Sequence, residues 1–354
     1  MKKIILTGGG SAGHVTPNLA LVPELQRRGY EIVYIGSRDG IEKGIVEGEG
    51  LPYYAIATGK LRRYFSLKNF TDPFRVIKGI GDAKKVLKKE QPALVFAKGG
   101  FVSLPVVKAA RKLGIPCIIH ESDMTPGLAN RLCFKDATRI LCNFPETLEN
   151  LPAGTSFVSG CPIRESLKSG SREAALAFTG LKGEKPVMLQ IGGSLGSVAI
   201  NTMIREKLPE LLEHFDIVHL TGKGNLDENL QREGYVQYEY VSAEMKDLLA
   251  LADVVVSRAG ANALCELLYL HKPNLLIPLP LSASRGDQIL NARSFEKQGF
   301  SVVLDQDNMT ADDLVRALLD LYENRAAYEA AMRQSAAGDA VSFVCDMIDR
   351  LTEA

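Results

Sequence analysis

The feature that most constrains this chain is an opening it uses twice. The apolar run Ile4-Ile5-Leu6 leads into Gly8-Gly9-Gly10-Ser11-Ala12-Gly13-His14, and in the second half Val187-Met188-Leu189-Gln190-Ile191 leads into Gly192-Gly193-Ser194-Leu195-Gly196. A strand that runs into glycines before an amphipathic stretch begins a βαβ unit, in which backbone amides can approach a ligand at a helix N-terminus. Short apolar runs alternate with amphipathic stretches throughout, the pattern of parallel sheets with crossover helices. The spacing predicts strands at Lys3–Leu6, Glu31–Ile35, Ala93–Ala97, Pro116–His120 and Thr138–Cys142. A second series follows at Pro186–Ile191, Asp216–Leu220, Val236–Tyr240, Asp253–Ser257, Asn274–Pro278 and Phe300–Leu304. Glycine and proline in Ser159-Gly160-Cys161-Pro162-Ile163-Arg164 interrupt the pattern and mark a domain boundary. The expectation is an α/β chain of two Rossmann-like domains, 1–162 and 163–340, with parallel sheets facing a cleft beyond the strand C-termini. The last helices, 311–321 and 325–351, are polar on one side and should lie outside or bridge the domains. Residues 341–354 are expected to pack back on the N-terminal domain.

A length of 354 residues suits two domains with their own cores, and 46% apolar with 24% charged residues is the balance of a soluble globular protein. No stretch approaches the ~20 apolar residues of a membrane span. Ile4-Ile5-Leu6 is too short for the core of a signal peptide, so a cytoplasmic protein is expected. The six cysteines contain no C-x-x-C pair, which argues against a zinc ribbon or disulfide framework and for reduced, mostly packing thiols. The zero net charge is unevenly spread, with ten Lys/Arg against three Asp/Glu between Lys60 and Glu90. That asymmetry suggests a local anionic partner rather than nucleic acid.

Gly8, Gly10 and Gly13 have the G-x-G-x-x-G spacing of a dinucleotide site. A dehydrogenase would also need an acid ending the second strand. That strand ends Tyr34-Ile35-Gly36-Ser37, and Asp39 falls in the turn beyond it. A tight turn made by glycines for backbone reasons is the simpler alternative. His14 points elsewhere: the positive end of a helix dipole disfavours imidazolium, and a neutral histidine can accept a proton from a hydroxyl. Alone, it could equally cap or pack. Glu266, just after the Gly260 turn, could bind a ribose diol or simply be a favourable first-turn acid. The loop Ser284-Arg285-Gly286-Asp287-Gln288 offers donors and acceptors suited to sugar hydroxyls. Asp305-Gln306-Asp307 has a D-x-D form but leads to a cap at Thr310 and reads as a surface turn. His120-Glu121 lacks the second histidine of a zinc protease motif.

Taken together, GGGSAGHVTP (8–17), KGGFVSLP (98–105), HESDMTPGLAN (120–130), GCPIRE (160–165), GGSLGS (192–197) and SRAGANALCE (257–266) resemble the MurG family over essentially the whole chain. The resemblance implies a GT-B fold and an inverting transfer of N-acetylglucosamine from UDP-GlcNAc to the 4-hydroxyl of undecaprenyl-diphospho-N-acetylmuramyl-pentapeptide in peptidoglycan synthesis. It implies acceptor and membrane contacts in the first half and the donor mainly in the second. Arg164 and Ser194 would lie near the diphosphate, Glu266 on the ribose, Gln288 on the sugar, and Ser242 near the uracil through its backbone. Ala261, Asn262, Ala263, Leu264, Cys265 and Glu266 would line the nucleotide sugar. Ser11, Ala12 and Gly13 resemble the loop closing over the sugar, and His14 the family's active-site histidine. Two departures stand out. Ser11-Ala12-Gly13-His14 replaces the frequent T-G-G-H, and Asp123 replaces a frequent asparagine, leaving it a donor-sugar ligand or a base.

No metal or cofactor is expected, because helix N-termini and Arg164 can stabilise the leaving diphosphate. The segment Lys60–Lys89 mixes Tyr64, Phe65, Phe70 and Phe74 with ten basic residues. It could meet anionic lipid headgroups reversibly, placing the protein peripherally on the cytoplasmic face of the membrane with other cell-wall synthesis proteins as further partners. Its simpler reading is a helix pair with a solvated face. Competing functions are a GT-B transferase with a soluble acceptor, an NAD-dependent oxidoreductase, and a sugar-nucleotide binding protein without turnover.

Overall fold

A computed structural model describes residues 2–59, 68–193, 195–284, 286–335 and 339–353, with side chains in the helix starting at Lys68 described from Phe74 onward. The chain forms two compact units, one of residues 1–164 with 337–354 and one of 165–336.

The first unit runs β1 (Lys3–Thr7), α1 (Thr16–Arg27), β2 (Glu31–Ser37), α2 (Ile41–Gly48), β3 (Tyr53–Ile56), α3 (Lys68–Glu90), β4 (Leu94–Ala97), α4 (Ser103–Lys112), β5 (Cys117–Glu121), α5 (Leu128–Cys133), β6 (Arg139–Cys142) and β7 (Ser156–Val158). The strands form one sheet in the order β3-β2-β1-β4-β5-β6-β7, every pair parallel. Strand order reverses between β1 and β4, which puts the loops after these two strands side by side.

Helices cover both faces, so the strands can be apolar on both sides, and alternate residues enter different cores. Ile4, Leu6, Ile32, Tyr34, Leu94 and Phe96 pack with Leu21 and Leu25 of α1 and with Val344 and Ile348 of the C-terminal helix Ala340–Glu353. Ile5, Val33, Ile35, Val95 and Ala97 pack instead with Leu87 of α3 and Val106 and Val107 of α4. The C-terminal helix is also tied to this unit by Arg28, which reaches Asp346 and Asp349 at 2.7 and 2.5 Å, and by Tyr30, whose hydroxyl donates to Asp349.

The second unit runs α6 (Arg172–Thr179), β8 (Val187–Ile191), α7 (Val198–Glu206), α8 (Leu208–His214), β9 (Asp216–Leu220), β10 (Tyr235–Tyr238), α9 (Met245–Leu251), β11 (Val254–Ser257), α10 (Ala261–Tyr269), β12 (Asn274–Leu276), α11 (Asp287–Lys297), β13 (Ser301–Val303), α12 (Ala311–Glu323) and α13 (Arg325–Arg333). Its sheet is also parallel, in the order β10-β9-β8-β11-β12-β13, with the reversal between β8 and β11.

The two Rossmann-type sheets bear out the fold class. The strand pattern differs at two places: β3 and β7 are edge strands the sequence reading lacks. Ser156–Val158 is only three residues long and has no fully buried position, and in Tyr53–Ile56 only Ile56 is buried. Neither run carries the apolar continuity of a central strand. The helix expected over 325–351 is two helices, the first ending at Arg333.

Candidate functional site

The turn after β1 is built around a carboxylate. Glu42, in the first turn of α2, is fully buried and accepts from Gly10 N at 3.2 Å, Ser37 N at 3.0 Å and Ser37 Oγ at 2.5 Å. A Cβ at Gly9 would sit 2.5 Å from that carboxyl carbon. The position beside these amides is therefore filled by a side chain of the protein itself, where a dehydrogenase would hold a pyrophosphate. This removes the structural basis for the oxidoreductase reading. Asp39, the acid nearest the strand in sequence, is exposed and takes no part. The signal for Glu42 was an acid two residues after Gly40, in the first turn of a helix.

The same turn presents His14 at the end of a short 3₁₀ segment, Ala12–His14, before Thr16-Pro17 starts α1. His14 is half-buried, and its Nδ1 lies 2.9 Å from Ser11 Oγ. Desolvation first, and the Lys98 charge second, lower its pKa from 6.5 to about 4. The imidazole is neutral at physiological pH.

The loop after β4 lies against this turn. Gly100 has φ +77°, and a Cβ there would run into the Gly9 carbonyl oxygen, so only glycine lets the two backbones meet. Lys98, at the start of this loop, is 1% exposed, and its ammonium contacts His120 Nδ1 at 2.7 Å and Ser122 Oγ at 2.5 Å. Glu121 anchors the loop after β5: its carboxylate accepts from Ser122 N, Asp123 N, Gly127 N and Asn130 Nδ2 at 2.8 to 3.1 Å. Burial raises its pKa, with those donors opposing the shift. Asp123 sits partly exposed in this loop. His120 and Glu121 thus serve the loop's architecture.

In the second unit the turn after β8 has no such carboxylate: among the described residues, none bonds an amide of Gly192–Ser197. Gly196 has φ +71°, and a Cβ there would enter the Thr221–Gly222 backbone, so the turns after β8 and β9 are also in backbone contact. Ser197 caps α7, accepting from Ile200 N at 3.4 Å, and Arg258 Nη2 donates to the same hydroxyl at 2.6 Å. Arg258 also donates to Ile277 O at 2.8 Å and to Gln306 Oε1 at 2.6 Å, bracing the loops after β8, β11, β12 and β13. Glycines at a helix N-terminus with an arginine alongside make an anion site. Arg258 falls within SRAGANALCE (257–266), where a lone arginine beside a strand end gives no such signal.

Glycine 260 leads into α10, which starts at Ala261 and has no acid in its first turn. Glu266 is in the second turn, beyond the strongest reach of the helix dipole, so the simpler reading of a first-turn acid does not hold. Ala261 and Leu264 are buried, while Asn262, Ala263, Cys265 and Glu266 are half-exposed. At the start of α11, Gln288 Oε1 accepts from Leu279 N of the loop after β12 at 3.1 Å. Ser242 is exposed beyond β10, its carbonyl accepting from Met245 N at 3.4 Å. Leu195, Val198, Tyr240 and Leu281, all in or beside the loops after strand C-termini of this sheet, are 63 to 80% exposed.

Elsewhere, Arg164 forms an ion pair with Glu49 at 3.0 Å. Ser11 and Ala12 are exposed. Ser194, Tyr64 and Phe65 lie outside the described residues, as does the side chain of Phe70. Phe74 is 74% exposed on α3, and Ile77, one turn on, is 66% exposed; an aliphatic Ile77 stands outside the aromatic pattern of the segment. Asp305 turns back on Asp307 N and Asn308, and Thr310 and Asp313 cap α12 reciprocally, so the D-x-D sequence is a helix-entry turn. All six cysteines are free thiols, five of them buried. A cavity of about 340 Å³ lined by Leu167, Lys168, Leu249, Tyr269, His271 and Lys272 lies at the opposite, N-terminal end of the second sheet. No described helix is long and apolar enough to cross a membrane.

Residues 4–142 match the glycosyltransferase family 28 N-terminal domain and residues 187–351 its C-terminal domain. The UDP-N-acetylglucosamine--N-acetylmuramyl-(pentapeptide) pyrophosphoryl-undecaprenol N-acetylglucosamine transferase of Lachnospira eligens is 55% identical over 349 residues, 98% of this chain and 99% of that protein. The transferase of the same name from Lachnoclostridium phytofermentans is 53% identical over 352 residues, 99% of each chain. The crystal structure of MurG from Acinetobacter baumannii superposes with a TM-score of 0.76 at 24% identity, covering 99% of this chain and all of that one, a likeness of fold. With both domain matches in order and relatives this similar from end to end, the chain belongs to glycosyltransferase family 28, among the N-acetylglucosamine transferases of the MurG type.

Proposed function

We infer that this chain transfers N-acetylglucosamine from UDP-GlcNAc to the 4-hydroxyl of undecaprenyl-diphospho-N-acetylmuramyl-pentapeptide, the lipid I to lipid II step of peptidoglycan synthesis. The observation that carries this reading is the glycine turn at the start of α7, flanked by Arg258 and with no carboxylate at its amides among the described residues, in a chain matched end to end by transferases of that name. In this reading UDP-GlcNAc sits over the second sheet. The α7 amides and Arg258 meet its diphosphate, Glu266 accepts from the ribose hydroxyls, and Gln288 offers its amide to the sugar. Ala261 to Cys265 flank the nucleotide, Ser242 approaches the uracil, and Arg164 and Ser194 assist at the diphosphate.

The acceptor oxygen attacks the anomeric carbon from the face opposite UDP, the bond to the diphosphate breaks, and UDP leaves with the electron pair. The hydroxyl proton passes to the neutral imidazole of His14, and the new bond is β-1,4. Ser11, Ala12 and Gly13 close over the sugar, and Asp123 offers a second polar contact or base. Amides and arginines stabilise the leaving diphosphate, so the step needs no cofactor. The test is transfer of radiolabelled N-acetylglucosamine. Turnover with the lipid-linked acceptor and none with a soluble sugar acceptor supports the assignment; the reverse preference, or none with either, overturns it.

The acceptor's lipid chain calls for a membrane-docking face, and α3 supplies one. Phe74 and Ile77 stand exposed with Arg75 and Lys78 beside them, continuing the basic and aromatic run of Phe65 and Phe70. Attachment would be peripheral, on the leaflet facing the cytoplasm, with each basic residue contributing about 1 kcal/mol near anionic headgroups. Vesicle sedimentation tests this: binding should need anionic lipid, weaken with salt, and fall in the double variant Phe74→Ser, Ile77→Ser. Equal binding to neutral vesicles would refute it.

A further inference from the structure

The second sheet carries a buried polar chain that the transfer chemistry leaves unused. His219 on β9 is fully buried, with Nδ1 2.9 Å from the Tyr235 hydroxyl and Nε2 2.9 Å from Asn201 Oδ1. Asn201 lies buried in α7, and its Nδ2 donates to the Thr221 carbonyl at 2.8 Å. That bond fixes which end of the amide faces the ring. Because Oδ1 only accepts, His219 Nε2 carries the hydrogen and Nδ1 accepts from Tyr235. Burial keeps the ring neutral, as this order of donors requires. A buried network with every member satisfied specifies one arrangement of the elements it joins.

The elements joined here frame the glycine turn after β8. The Asn201 N–H donates at 2.9 Å to the carbonyl of Ser197, the cap of α7. Asn201 is thus tied to the first turn of α7 by its backbone and to the turn after β9 by its side chain. Thr221 is the residue whose carbonyl a Cβ at Gly196 would strike, and a Cβ at Gly222 would strike Gly196 N in return. A second bond, from Asn225 Nδ2 to Leu195 O at 3.1 Å, joins the same two turns at the exposed rim. Apolar side chains at 201 and 219 would fill the space, but they would free the Thr221 carbonyl from α7 and let the turns shift against each other.

We propose that His219 and Asn201 are positioning residues for donor binding: the chain Tyr235–His219–Asn201 holds the turn after β9 against the α7 N-terminus, so that the amides at the start of α7 converge on the donor's diphosphate. The inference rests on the reading of that turn as the diphosphate site, and its test tells the two apart.

The test is equilibrium binding of UDP and of uridine to the full-length protein, since the two ligands share a nucleoside and differ in the diphosphate. His219→Leu and Asn201→Leu should weaken UDP about tenfold, the worth of one hydrogen bond, and leave uridine at the parent's affinity. His219→Gln keeps a donor for Asn201 Oδ1 and should recover most of the loss. Arg258→Met is the control for the site itself and should also weaken UDP selectively. A parent-like ratio of UDP to uridine affinity in the folded leucine variants, or equal weakening of both ligands, overturns the proposal. If Arg258→Met alone weakens UDP selectively, the diphosphate reading stands and only the positioning role falls. If all three variants leave the ratio unchanged, the diphosphate reading falls with it. Should the leucine variants fail to fold, Asn201→Ser frees the same carbonyl with less disturbance and decides on the same criterion.

Discussion

The turns after β1 and β8 start from the same sequence device, an apolar strand running into glycines, and end with opposite electrostatics. In the first, the Glu42 carboxylate already occupies the Gly10 amide and seals the cradle from within. In the second, the α7 N-terminus has a serine cap and an arginine beside it, with no carboxylate among the described residues at its amides. A sealed cradle cannot take a phosphate, so the first turn is left to present His14. The open one suits an anionic ligand. The spacing of glycines reports the backbone turn, and the charge that occupies the turn decides its use.

The largest effect expected from this contrast is on turnover. His14→Ala should lower kcat by about 10² to 10⁴, the usual contribution of a general base, with donor KM within about threefold of the parent. A loss below threefold in folded protein would return His14 to a capping role. Glu266→Ala should act on the other side of the comparison, raising the donor KM at least about tenfold through loss of a charge-assisted hydrogen bond of about 1.5 to 3 kcal/mol. Unchanged donor kinetics would remove Glu266 from the site.

A smaller effect is expected at the seal. Glu42→Gln puts an amide donor against Gly10 N or the Ser37 donors, and should cost about 1 to 3 kcal/mol of stability in urea unfolding while leaving the donor KM alone. A raised donor KM would mean that the first turn binds the donor after all.

The mildest expectation concerns pH. Below 6.5 the unfolded chain binds protons at His14, His120 and His219 that the folded chain refuses, the folded values of His14 and His219 being about 4 and about 3. Stability should therefore be full above pH 6.5 and fall as the pH drops through the window beneath it. Thermal melts from pH 8 to pH 4.5 check the sign, and a Tm that rises on acidification would contradict it. Over the same range kcat should show no inflection at 6.5 if His14 is the base.

The central strands were legible because a two-sided parallel sheet demands continuous apolar runs, and the glycines after β1 and β8 marked the ends that matter. The edge strands β3 and β7 were not, since one-sided burial leaves too few apolar positions to register. The neutrality expected of His14 from a helix dipole comes instead from burial first, which the sequence does not display. Glu42, Lys98 and Arg258 were not legible, because each draws its role from a contact remote in sequence: Glu42 with Gly10, Lys98 with His120, Arg258 with Ser197. Charged residues in loops look alike until the fold shows which amide, ring or hydroxyl each one meets.

The division of labour between the two turns is tested most directly by equilibrium binding of UDP-GlcNAc, measured by calorimetry on the parent, His14→Ala and Glu266→Ala. The account predicts parent-like affinity for His14→Ala and at least about tenfold weaker binding for Glu266→Ala. Weakened binding in His14→Ala together with intact binding in Glu266→Ala would contradict it, and would assign the donor to the first turn.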